Sequence, residues 1–164
     1  MKLMTFIVAT TISIVAVTVA QNTFAADEYN VPSGTTANGE GVALRGYDPV
    51  ALALGIGITD GHGRLTHVHD GVAYYFASEA SMSAFAANPG AYMPQYGGYC
   101  AFGVAVGKKL DGSPRFADIV DGKLYLFLNA AVFETYLKDR EGTLAKAAKN
   151  WPGMHHVPVS QVNS

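Results

Sequence analysis

Asp70-Gly71-Val72-Ala73-Tyr74-Tyr75-Phe76, followed by Ser78 and Phe85, decides the reading of this chain, because it returns 51 residues later. The second copy is Asp121-Gly122-Lys123-Leu124-Tyr125-Leu126-Phe127, followed by Asn129 and Tyr136. In each copy Asp-Gly suits the two-residue turn of a β-hairpin, and a β-rich apolar strand follows it. Ser or Asn then offers a side-chain oxygen to the first free N–H groups of a helix. Turn, strand, cap and helix recur in one order, so the sequence predicts an α+β domain of two repeated β-hairpin-plus-helix units. One apolar sheet face and one apolar helix stripe are too little to fold alone, and packing the units together buries both.

Working outward, residues 65–76 and 116–127 read as the two hairpins. The helix after Ser78 buries Met82, Phe85 and Ala86, and Pro89 ends it by disfavouring helical geometry at Asn88. The helix after Asn129 carries Phe133, Tyr136 and Leu137 on one face. Upstream, Asp48-Pro49 is an N-cap followed by proline at the first helical position, and Gly55 and Gly57 stop that short helix. A last helix over 142–150 is expected to bury Leu144, Ala148 and Trp151, with Pro152 stopping it. Residues 94–107 are dense in glycine and aromatics.

The chain opens on Met1-Lys2-Leu3-Met4 and an uncharged apolar run to Ala20, then a polar stretch to Ala26. This pattern predicts a signal peptide over 1–25, cleaved near Ala25, and delivery to a bacterial periplasm or the exterior. Contact with a membrane is expected only through an uncleaved signal. A flexible leader is expected over 26–41, a folded domain over 42–152 and a loose C-terminal tail over 153–164. The thirteen acidic residues and ten of the eleven basic ones follow the signal, a net of about −3. No basic stripe offers a nucleic-acid footprint.

Within the folded region, Tyr74-x-Phe76-x-Ser78, Phe85, Asn88-Pro89 and Tyr92 resemble the YHS domain. The likeness runs on through Pro94-Gln95-Tyr96-Gly97-Gly98-Tyr99-Cys100-Ala101-Phe102-Gly103, Asp121-Gly122-Lys123-Leu124-Tyr125 and Asn150-Trp151-Pro152. With Gly46-Tyr47-Asp48-Pro49-Val50 it covers nearly all of the mature chain and is similar to the exported bacterial single-domain subgroup. The resemblance implies a metal-binding scaffold of the kind found in copper-handling pumps and monooxygenase subunits. The family's His corresponds to Tyr75, and its thiols to Ala77 and Ser81. A soft-metal thiolate site cannot exist where the thiolates are absent.

Cys100, the one cysteine, is therefore the first candidate for chemistry, as a metal ligand, a reactive thiol, an intermolecular bridge or an inert buried side chain. His67 and His69 share one face of a strand and, with His62 on the preceding loop, could hold Cu or Zn, or could form a solvated face. Tyr74, Tyr92, Tyr96 and Tyr99 either line a small-ligand pocket near Cys100 or plug the seam between the units. His155 and His156 in the tail are secondary metal candidates. No catalytic triad or dinucleotide fingerprint is present, and Gly103-x-x-x-Gly107-Lys108-Lys109 lacks the spacing of a phosphate loop. The expected function is non-catalytic binding of a metal ion or small molecule near Cys100. A thiol-dependent redox protein, and an adaptor for a protein partner in a membrane or oxidase complex, are the alternatives.

Overall fold

The computed structural model describes residues 28–164, so the expected signal peptide lies outside the described residues. The architecture is mixed α and β. A short β1 (Gly41–Val42) leads to α1 (Pro49–Ala53), then the hairpin β2 (His62–His69) and β3 (Val72–Phe76), then α2 (Glu79–Ala87). After two short turns come α3 (Ala101–Ala105), the hairpin β4 (Ser113–Val120) and β5 (Lys123–Phe127), and the helices α4 (Ala130–Leu137), α5 (Arg140–Met154) and α6 (Val159–Val162). β1, β3 and β2 form one sheet in that order, with β1 parallel to β3, and β4 with β5 forms the other.

Both hairpins turn where the Asp-Gly pairs predict. Asp70 and Gly71 have φ of 50° and 76°, Asp121 and Gly122 have 51° and 71°, the left-handed pair a tight two-residue turn demands. The helix starts follow the sequence as well. Asp48 accepts from Val50 N and Ala51 N, Ser78 forms a capping box with Ser81, and Asn129 accepts from Val132 N.

The first core gathers Leu44, Val50, Leu52, Tyr74, Phe76 and Phe85 around Leu124 and Leu126 of β5, so the second hairpin completes the core of the first. The second core packs Cys100, Ala101, Tyr125, Phe127 and Tyr136 together.

Several boundaries differ from the sequence reading. The helix faces are narrower: Ala86 and Leu137 are exposed, and in α5 Thr143, Ala147 and Met154 are buried in place of Ala148. α5 packs chiefly on the five-residue α3 and so covers a thin stripe. Pro152 does not stop α5, which runs two residues further, because a proline costs one backbone hydrogen bond and packing around Met154 compensates. Residues 28–31 are docked rather than trailing, with Asn30 buried, and β1 pairs with β3 from Gly41, while most of 32–39 is exposed. The 153–164 segment is likewise seated, on Lys109. Among the described residues no helix is long and apolar enough to cross a membrane.

Candidate metal centre

The N-terminal strap, residues 28–31, crosses the glycine pair Gly97-Gly98. Asn30 N donates to Gly97 O at 2.8 Å and Asn30 Nδ2 to Gly98 O at 3.2 Å. The Tyr29 hydroxyl donates to Asp70 Oδ2 at 3.0 Å, and burial with that carboxylate pushes its pKa up to about 12, keeping it a donor. Glycine is required at 97 on two counts. Its φ is +60°, and a Cβ there would lie 2.0 Å from Glu28 O.

The far end of the chain meets this strap. The Lys109 ammonium, 2 % exposed, donates to His155 O at 2.9 Å and Val157 O at 2.8 Å, and lies 5.3 Å from the Tyr99 ring centre. Lys109 N donates to Asn163 Oδ1, and Asn163 Nδ2 donates back to Lys109 O. These bonds hold the turn after α5, and with it His155 and His156.

Glu28 then stands against both imidazoles. Its Oε1 is 2.5 Å from His156 Nδ1 and its Oε2 is 3.8 Å from His155 Nε2. One ligating atom from each of Glu28, His155 and His156 lies within 4.8 Å of the others. The His155 ring packs on Trp151, centroids 4.9 Å apart, and on His156 at 4.3 Å. Burial, then His156, and more weakly Lys109, lower the His155 pKa against the opposing pull of Glu28. A neutral imidazole is the form that ligates a metal.

Cys100 stands apart from any such group. It is 0 % exposed, and its Sγ accepts from Gly103 N at 3.4 Å as the N-cap of α3. Burial pushes its thiol pKa up against backbone N–H bonds from Gly103, Leu128 and Phe102. A protonated, enclosed thiol is neither a nucleophile nor a ready ligand. In the folded protein at pH 8 it is expected to react with a disulfide probe about 100-fold or more slowly than in the unfolded chain. Equal rates in buffer and in guanidinium would refute this.

His67 and His69 do share a face, but they turn edge-on to the Phe85 ring at 5.8 and 6.3 Å. His62 is exposed at the start of β2, beyond a bulge in the hairpin. The three belong to no group of converging ligand atoms among the described residues. The tyrosines act as packing. Tyr74 is buried against Phe85, Tyr92 rests on the first core, and Tyr96 and Tyr99 both lie against Trp151. The recess beside Tyr74, between Leu44, Gly98 and Leu126, is about the size of one water molecule.

At 77 and 81, where the family resemblance would place thiolates, Ala77 N and Ser81 Oγ donate instead to Asp48 Oδ2 at 2.9 and 2.6 Å. This oxygen-and-amide cap does not fit a soft metal.

Glu28 is the candidate ligand that the sequence analysis missed. It sits in the stretch read as a leader, 128 residues from His156, and no spacing rule joins two chain ends. The one available signal was the His-His pair itself, which needed a carboxylate from elsewhere. No protein-family model, curated protein or solved structure matches this chain.

Proposed function

We propose that this chain is an exported, YHS-like domain that binds a divalent transition-metal ion, Cu(II) or Zn(II), through Glu28, His155 and His156. The observation that carries the reading is the convergence of the three ligating atoms within 4.8 Å. Around an ion with bonds of roughly 2.0–2.1 Å, tetrahedral donors stand about 3.3 Å apart. The ligating atoms thus need only small side-chain rotations, and His156 is exposed enough to make one. Two imidazoles and a carboxylate suit Zn(II) and Cu(II), with Cu(II) the tighter, and leave one position for water.

The two-unit architecture belongs to the same reading, and several pairs of features support it. Val42 bridges Ala73 in parallel, as Pro94 bridges Leu124. Leu44 and Arg45 are left-handed, as are Tyr96 and Gly97. Tyr47 bridges Asp60 and Tyr99 bridges Asp111, and both hairpins carry a register shift, at 62–66 and 113–117. In this correspondence Cys100 takes the place of Asp48. Each caps a five-residue helix, and Leu128 N bonds the thiol as Ala77 N bonds the carboxylate. That equivalence makes Cys100 a capping residue and moves the binding role to the chain ends.

Metal titration of the tag-free mature protein tests this, with quenching of Trp151, the one tryptophan, by Cu(II) as the readout. One ion per chain is expected. His155→Ala and His156→Ala should each weaken binding by at least about 10- to 100-fold, the cost of losing even an outer-sphere partner of a ligand, and Cys100→Ser should leave it unchanged. Binding lost in Cys100→Ser and retained in both histidine variants would return the site to the thiol.

A further inference from the structure

We infer that metal binding and docking of the N-terminal strap are one coupled equilibrium, so that the ion fastens residues 28–31 across Gly97-Gly98. This rests on the metal reading above and adds to it a regulatory consequence.

The two sides of the centre are built differently. His155 and His156 belong to a turn that the core holds through Lys109 and Asn163. Glu28 belongs to a strap held by Asn30 on the carbonyls of Gly97 and Gly98, Tyr29 on Asp70, the Tyr99 hydroxyl on Tyr29 O at 3.4 Å, and the partly buried Tyr29 and Val31 at the edge of the first core. The hydrogen bonds are each worth little net free energy. Three-ligand coordination requires the strap in place, since no other segment presents Glu28 to the imidazoles. The ion therefore binds the docked form more tightly than the undocked one, and linkage makes the effect reciprocal. With the ion bound, the strap covers the Gly97 and Gly98 carbonyls and the Tyr99 hydroxyl. Without it, the strap rests on its own hydrogen bonds and on the packing of Tyr29 and Val31, and opening it uncovers that edge. Metal occupancy thereby shifts the docking equilibrium of residues 28–31.

The test uses the full mature chain and Zn(II) as probe, with two measurements. Hydrogen exchange of the segment around Asn30 should slow by about tenfold when Zn(II) is added, within the usual range of coupling between sites. Asn30→Ala, which contacts no ligand atom, should weaken Zn(II) binding by a similar factor. Gly97→Ala should do the same by pushing the strap away, with circular dichroism confirming that each variant is folded. Wild-type protein that binds neither Zn(II) nor Cu(II) would remove the metal site and the coupling together. Wild-type binding lost in His155→Ala, with Asn30→Ala at full affinity and strap exchange indifferent to Zn(II), would overturn the coupling alone.

Discussion

Phe85→Ala is expected to cost about 3–5 kcal/mol of folding stability, the range for emptying a buried aromatic site. Phe85 is 0 % exposed, and its ring lies 4.7 Å from that of Tyr74 and 5.2 Å from that of Phe76. His67 and His69 close its rim edge-on. It also shares a core with Leu124 and Leu126, which belong to the other hairpin. A void here therefore loosens a core that both hairpins share, and the aromatic and imidazole rings packed on Phe85 leave little scope for collapse. Against a typical total of about 5–15 kcal/mol, the variant stands close to unfolding. Urea denaturation checks it. The midpoint should fall with an unchanged slope, and a loss below about 1 kcal/mol would show that the packing around Phe85 is not as described.

Asp48→Ala should be the second most damaging change, at about 2–4 kcal/mol. The carboxylate is 1 % exposed and serves four donors: Val50 N, Ala51 N, Ala77 N and the Ser81 hydroxyl. Losing the cap of α1 costs about 0.5–2 kcal/mol. Leaving the half-buried Ala77 N–H without its acceptor adds about 1–3 kcal/mol, while the Ser81 hydroxyl retains Ser78 O at 3.0 Å. Asp48→Asn, which keeps the shape and one acceptor oxygen, should fall between wild type and Asp48→Ala. If alanine and asparagine prove equally mild, the bonds to Ala77 and Ser81 carry no weight.

The contrast between Asp48 and Cys100 shows what could be seen in the residues alone. Asp48-Pro49 announces a helix start because the N-cap and first-turn preferences are local. Cys100 announces nothing of the kind, since cysteine is a poor indicator of a cap. Its motif drew attention as a possible site, whereas the glycines before it are there for backbone reasons. Gly97 lets the strap lie against the chain, and Gly98 has a φ of +85°, in the left-handed region. His67 and His69 were rightly placed on one strand face, but only the fold shows that face turned toward Phe85.

Local chemistry by itself determined the turns at Asp70-Gly71 and Asp121-Gly122, the caps at Asp48, Ser78 and Asn129, and the mixed α and β composition. Each depends on residues within about four positions of one another, where propensity and hydrogen-bond reach act directly. The sequence echo at offset 51 rests on the same kind of local pattern, a turn, a strand and a cap. Tertiary structure alone decided that Leu124 and Leu126 complete the core around Phe85, that Cys100 is sealed, and that Glu28 meets His155 and His156. Those contacts join segments dozens to more than a hundred residues apart. Loop closure over such lengths is driven by burial of the whole core, not by any one residue's preference, so no reading of neighbours along the chain reveals it.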